Sequence, residues 1–382
     1  MYSYLNNAAS SWPKPESVIS AIADSLQSIP SSEHRSNAAG TDDDCISGLR
    51  EALLRFFNAR ENDVLILTSG GTEAINLAIK GLLQPDSHII TSAADHNAVL
   101  RPLNHLRQSQ NINISVVPAD YSGWVDPEAV ENAIRDDTLA VIISHLSNVT
   151  GTVQDVASVG HICGQCGAIL IVDGCQSAGN IPVDFQSLDC DAFAFTGHKG
   201  LMGPPGTGGL LIKCSLAKKL EPLVHGGVGF DAQAPVFVEE IPERFEPGTY
   251  NYPGLKGLAA GIGWISENRG SSSARVTSLG RKLAIALEEI PGVALLGDKS
   301  DRWFPGIISF LVEGLEPAEI EGFLWENDKV ICRSGYCCAP LIHDYLGSES
   351  SGVVRFSLGP FNTEENIETT INAMKGICKL AV

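Results

Sequence analysis

Lys199 and Asp173 are the two residues of this chain whose chemistry is easiest to place. Lys199 sits in the glycine-bearing turn Thr196-Gly197-His198-Lys199-Gly200 after an apolar run, and Asp173 ends another such run twenty-six positions earlier. A lysine amine condenses with an aldehyde, and a carboxylate beside a pyridine nitrogen keeps it protonated so that the ring accepts electrons. Delivered to the mouth of one sheet, this pair is what pyridoxal phosphate (PLP) requires. That cofactor implies amino-acid chemistry.

The segment Thr68-Ser69-Gly70-Gly71-Thr72-Glu73-Ala74 places two glycines and several hydroxyls between a strand-like run and a helical one. Glycine admits a phosphate close to the backbone, and the free amides of a helix start favour its charge, which makes Gly71 and Thr72 candidate contacts. A tight turn with Thr72 near an N-cap explains the same residues. Neither GxxxxGK nor GxGxxG is present, so the segment is not a Walker or dinucleotide loop. Thr196 and His198, beside Lys199, add phosphate donors. Asp173 directly follows an apolar strand and so falls at the carboxyl edge, where open α/β sheets bind ligands. Gln176 is placed to bond a ring hydroxyl. His96, in Asp95-His96-Asn97, could stack its flat imidazole on the cofactor or simply begin a helix.

These residues need elements to carry them. Short β-branched runs at 64–68, 88–91, 114–118, 139–144, 168–173, 192–196 and 209–213 read as strands, and helical periodicity fills segments such as 72–83 and 155–166. The alternation means an α/β fold with one large, mostly parallel sheet sandwiched by helices, and the lack of strict polar alternation fits strands covered on both faces. A helical stretch over 255–268 ends at Arg269-Gly270 and a serine run, which reads as a connection between domains. Beyond it, a helix near 276–289 and shorter strands form a smaller α+β domain. The expected division is a large domain over 15–255 and a small one over 256–382 joined by 1–14.

The chain has 382 residues, 44% of them hydrophobic, and a net charge of −19 with no basic stripe, which disfavours nucleic acid and anionic membrane as partners. Acidic residues are scattered, apart from the short run Asp42-Asp43-Asp44. Ten cysteines spread from Cys45 to Cys378, with no signal-like amino terminus, point to a reducing cytoplasm. No apolar run approaches the roughly 20 residues needed to cross a bilayer.

Taken together, the ordered motifs Tyr4-Leu5-Asn6-Asn7-Ala8-Ala9, Ser69-Gly70-Gly71-Thr72-Glu73-Ala74, Ser147-Asn148-Val149-Thr150-Gly151, Asp173-Gly174-Cys175-Gln176-Ser177 and Thr196-Gly197-His198-Lys199 carry a resemblance. Phe245-Glu246-Pro247-Gly248-Thr249, Arg333-Ser334-Gly335-Tyr336-Cys337-Cys338-Ala339-Pro340 and Val354-Arg355-Phe356-Ser357 extend it almost end to end. The chain resembles the class V aminotransferase group of PLP fold type I enzymes, and within it the cysteine desulfurase and selenocysteine lyase-like proteins.

The resemblance implies roles for residues. Lys199 would form the Schiff base and move the α-proton, Asp173 would pair with the pyridine nitrogen, Gln176 with the ring oxygen, and His96 would stack on the ring. Gly71, Thr72, Thr196 and His198 would hold the phosphate. Thr249 would reach the phosphate of a neighbouring subunit, which implies a homodimer. Asn148 and Arg355 would bind the substrate carboxylate. Cys338 aligns with the family's mobile nucleophile in Arg-x-Gly-x-x-Cys-Ala, with Cys337 doubled beside it. The implied activity is removal of sulfur from L-cysteine through a PLP aldimine and a Cys338 persulfide, giving L-alanine, with a sulfur-acceptor protein as a further partner. Cysteine C–S lyase and selenocysteine lyase chemistry share the same cofactor residues. From another class, Cys163-Gly164-Gln165-Cys166 would suit a metal-binding or sulfur-carrying protein without PLP turnover. The chain departs from the family at Asn6, where relatives commonly carry Asp and the exchange reads as neutral. It departs also at 30–35, a loose match to an arginine- and glycine-bearing loop, and at Tyr336, often histidine.

Overall fold

Seven runs of buried apolar residues form one sheet, in the spatial order Val64–Thr68, Gly208–Ile212, Ala192–Thr196, Ile169–Asp173, Thr138–Ser144, His88–Ser92 and Asn113–Val117. Their ends fall within one residue of the expected bounds. The computed structural model describes residues 2–28, 45–227, 239–297 and 300–380, so the 30–35 segment and the Asp42-Asp43-Asp44 run lie outside the described residues. Gly208–Ile212 runs antiparallel to both its neighbours, and the remaining pairs are parallel.

Successive side chains of a strand face opposite sides, and here both sides are covered. Leu65, Val141, Leu170 and Phe193 enter one core cluster, whereas Ile66, Ile142, Ile171 and Ala194 enter another. This double burial explains the missing polar alternation. Crossover helices, among them Gly71–Leu82, Asn97–Gln110 and Val156–Cys166, return the chain so that Thr68, Ser92, Ser144, Asp173 and Thr196 all end at one edge. Strand order reverses between His88–Ser92 and Thr138–Ser144, which opens a crevice at that edge.

A second, four-stranded antiparallel sheet joins Arg333–Gly335, Val353–Ser357, Ile307–Val312 and Val293–Leu296. Its core takes Phe310, Phe356, Ile320 and Ile367 together with Leu5 and Ala8 from the amino-terminal segment. Ser3–Tyr4 also pairs in parallel with Val330–Ile331.

One correction concerns the expected connection at Arg269-Gly270 and the serines. A single 37-residue helix, Tyr252–Glu288, runs straight through them. Its start is capped by Asn251, whose side chain accepts from Gly254 N. A glycine inside a helix costs about 1 kcal/mol and serine less. Leu255, Leu258, Ile262, Ile265, Val276, Leu279, Leu283 and Leu287 are all buried along it, and each such side chain stabilises by about 1.5–3 kcal/mol. Packing therefore overrides the local break.

Candidate active site

The carboxyl edge of the large sheet holds a cavity of about 270 Å³. Nine of the residues singled out from sequence line it: Gly71, Thr72, His96, Asn148, Asp173, Gln176, Thr196, His198 and Lys199. Cys338, Arg355 and Thr249 do not. Thr249 lies in an adjoining cavity with Glu246 and Tyr250, and the two cavities share Ser69, Glu73 and Gly206.

The phosphate-type turn is built by close approach. Glu73 accepts from Ser69 N at 2.7 Å and Ser69 Oγ at 2.5 Å, folding the strand end onto the helix Gly71–Leu82. A Cβ on Gly71 would lie 2.1 Å from Cys175 Sγ, so only glycine fits there without displacement. The first amides of that helix have no acceptor within it and are available to an anion.

Asp173 is buried, and its Oδ1 accepts from Cys175 N at 2.9 Å. Burial, with the Asp173 carboxylate next, pushes the Cys175 thiol well up, and Lys199 opposes them. Gln176 is anchored by its Nε2, which donates to Ala8 O at 2.9 Å, and its Oε1 is buried with no partner. A ring hydroxyl is the kind of donor that this oxygen lacks. The glycine-only cradle and the orphaned acceptor both fit a phosphorylated pyridine aldehyde.

His96 caps the helix Asn97–Gln110, and its Nδ1 accepts from Ala98 N at 3.0 Å, which puts the proton of the neutral ring on Nε2. Burial lowers its pKa, Asp173 opposes, and Lys199, Arg355 and Arg101 reinforce the fall. His96 therefore begins the helix, one of the two readings open from sequence, and also lines the cavity. His198 is pushed down to about 4 by burial, then by Lys199 and Lys14. Its main-chain oxygen takes Ser11 N at 2.9 Å and Lys14 Nζ at 3.0 Å, which ties the amino-terminal segment to the Lys199 turn. Burial lowers Lys14 itself to about 8.

Asp95 escaped the sequence reading although it stands beside His96. It is fully buried at the switch point and accepts from Thr91 Oγ1, Ser92 N and Ser144 N, each at 2.7 Å. It thus joins the ends of the two strands that flank the crevice and fixes where His96 begins its helix. An aspartate three positions after a strand end was the available signal, since that residue type bonds nearby backbone amides.

Arg355 and Asn148 do meet. Arg355 is buried, and its Nη1 donates to the main-chain oxygen of Asn148 at 2.9 Å. Its Nη2 donates to Asn6 Oδ1 at 3.2 Å, while Nε is buried with no partner. Both acceptors are neutral, and among the described residues no carboxylate reaches this guanidinium. The Asn6 exchange is therefore not neutral: an Asp there would neutralise Arg355.

The doubled cysteines separate cleanly. Cys337 is buried in the core cluster of the large sheet, where burial raises its pKa, and Cys338 is exposed. Both have left-handed backbone, φ +48° and +62°, a conformation that costs a non-glycine residue roughly 1–2 kcal/mol. Donors from three elements hold the turn: His343 Nε2 to Tyr336 O, Asn148 Nδ2 to Cys337 O, and Asn97 N to Cys338 O. The CxxC pair is split likewise, Cys163 buried and raised to about 12, Cys166 exposed. Among the described residues no group of three His, Cys, Asp or Glu converges as a metal would need.

A mostly parallel sheet whose carboxyl edge gathers a lysine, a buried aspartate and an amide-rich helix start defines the class, a PLP-dependent enzyme of fold type I. The sequence profile of the aminotransferase class-V family matches residues 3–369, and the chain belongs to that family. Among its relatives, a probable cysteine desulfurase of Methanothermobacter thermautotrophicus is 34% identical over 84% of this chain and 80% of its own length. Another, from Halalkalibacterium halodurans, is 31% identical over 97% of this chain and 92% of its own. The solved apo cysteine desulfurase of Thermococcus onnurineus superposes with a TM-score of 0.89 at 29% identity, covering 99% of this chain and 95% of that one.

Proposed function

We propose that this enzyme removes sulfur from L-cysteine, releasing L-alanine and leaving the sulfur on Cys338. The observation that carries the reading is the exposed Cys338 thiol on a turn tied to Asn148 and Asn97, so that a nucleophile stands beside the cofactor cavity. PLP, when bound, supplies an aldehyde for the substrate amine and an electron-accepting ring. Gly71, Thr72, Thr196 and His198 would hold its phosphate, Asp173 would keep a proton at its ring nitrogen, and Gln176 Oε1 would take its hydroxyl.

Around that group the chain's own residues do the rest. Arg355, with its unpartnered Nε–H, binds the substrate carboxylate with Asn148. The Lys199 amine takes the α-proton and returns a proton to the product. His96 closes one face of the site with an uncharged ring. The Cys338 sulfur attacks the substrate sulfur: a sulfur–sulfur bond forms, the carbon–sulfur bond breaks, and its electron pair leaves with the carbon and is protonated to give alanine.

A homodimer in which Thr249 would complete the partner's phosphate site belongs to the same reading. The exposure of Cys338 supports delivery of sulfur to an acceptor protein. Among the described residues no helix is long and apolar enough to cross a membrane. All ten cysteines are free thiols, which supports a cytoplasmic setting.

Product analysis with L-cysteine tests the reading. Alanine should form, and Cys338→Ala should lower its rate by about 10³-fold or more, the scale of losing a catalytic nucleophile. Alanine formed at the full rate by that variant, or pyruvate as the main wild-type product, would sink it.

A further inference from the structure

Asn148 lines the cofactor cavity, yet the hydrogen bond its side chain makes does not point at the cavity. Nδ2 donates to Cys337 O at 2.6 Å. An amide nitrogen carries two N–H groups, and a single contact leaves the second one for a ligand. The contacted oxygen belongs to the first of two consecutive left-handed residues, and the second is Cys338, whose own oxygen takes Asn97 N at 2.7 Å. A turn in that conformation persists only where its surroundings over-determine it. Of the donors that hold this turn, the two that bond the carbonyls of the cysteines themselves are one helix-start amide and one side chain of the substrate pocket.

We infer that Asn148 is the positioning residue of the nucleophile: one N–H fixes Cys337 O and so aims Cys338, while the other meets the substrate carboxylate. The inference rests on the proposed desulfurase reading and deepens it. Binding the carboxylate and placing the thiol then depend on one amide, itself held from below because Arg355 Nη1 donates to the Asn148 main chain. A substrate whose carboxylate sits correctly presents its sulfur to a turn registered against the same group. A ligand lacking the carboxylate has no such registration.

The two roles separate in kinetics. β-Chloro-L-alanine loses chloride by elimination and then hydrolyses to pyruvate and ammonia, so it needs the carboxylate site and Lys199 but not Cys338. For Asn148→Ala, KM for L-cysteine and for β-chloro-L-alanine should rise together by about tenfold, whereas kcat should fall by about 30-fold or more for alanine formation and no more than about threefold for elimination. Asn148→Asp has nearly the same shape and turns the donor into an acceptor facing Cys337 O, so it keeps the packing and should show the same kcat split.

A second arm needs neither turnover nor cofactor. Iodoacetamide labelling followed by peptide mass mapping should show Cys338 reacting several-fold faster in both variants, with exposed Cys166 unchanged as the internal control. A rise in KM alone with labelling unchanged would make Asn148 a carboxylate ligand only and overturn the proposal. An equal fall in both kcat values would also overturn it, because the residue would then act on steps common to both reactions. A wild type that eliminates chloride but makes no alanine would defeat the desulfurase reading instead. The labelling arm then decides the hold on Cys338 by itself.

Discussion

At the sheet edge, Asp173 and Thr196 end strands buried on both faces and Lys199 follows in a tight turn, whereas Cys337 and Cys338 occupy two left-handed positions held through main-chain carbonyls. Displacing the first group means disturbing a core. Displacing Cys338, which is exposed beside the buried Cys337, means chiefly breaking a few hydrogen bonds, each contributing about 0.5–1.5 kcal/mol, with backbone strain helping. The difference matches the duties proposed for each. A cofactor anchor has one position to hold, and a sulfur carrier must face first a substrate and then an acceptor. Rigidity and release are thus allotted to different parts of one pocket.

Several substitutions would break or sharpen this contrast. Lys199→Ala should abolish both alanine and pyruvate formation by at least about 10³-fold, unlike Cys338→Ala, which should spare elimination. Equal residual elimination in the two variants would erase the distinction between anchor and carrier. Gly71→Ala should weaken PLP binding in an apo-protein titration by about 10- to 100-fold, since its Cβ would meet Cys175 Sγ at 2.1 Å. Adding Cys175→Ala removes that atom and should restore most of the affinity, a non-additivity expected of residues in direct contact. If the double variant binds no better, the cradle is not set by this contact.

Asn6→Asp probes the junction between the two regions. A carboxylate in place of the Oδ1 that accepts from Arg355 Nη2 would pair a buried guanidinium and compete with the substrate carboxylate. Thermal stability should rise while KM for L-cysteine rises about tenfold at little change in kcat. A KM that stayed put would show that Arg355 does not reach the substrate.

A further effect concerns acid stability and not turnover. His145 is buried, burial lowers it to about 4, and its Nδ1 has no partner. Between about pH 6.5 and about pH 4 the unfolded chain binds a proton at His145 that the folded chain refuses, so stability present above about 6.5 is lost as pH falls through that window. The full contribution is roughly 3 kcal/mol. His145→Phe should flatten the fall of Tm on acidification without flattening it fully, because His96 and His198 are depressed as well. An unchanged slope would rule His145 out as a source of the acid lability.

Sequence alone revealed the strands nearly to the residue because burial on both faces writes itself as unbroken apolar runs. It also revealed the cavity residues at or just beyond strand ends, such as Asp173 and Lys199. It misled at 269–273, where the glycine and serines outweighed a buried stripe whose spacing continues from Leu255 through Ser272 to Leu287. Which cysteine faces solvent was illegible, since it depends on two positive φ values imposed by Asn97 and Asn148, residues remote in the chain. Asn6 was noticed and misjudged for a similar reason. Its partner Arg355 lies 349 positions away, and no local pattern announces it.

The uninterrupted helix Tyr252–Glu288 has a consequence for how the molecule comes apart. Over its 37 residues it extends for about 55 Å, with Leu255 and Leu258 seated in one core cluster and Leu283 and Leu287 in another. Neither cluster can lose its packing without withdrawing support from the rod that crosses the other. Melting at one end therefore propagates toward the other. A stretch composed like a linker serves instead as the coupling that makes unfolding cooperative.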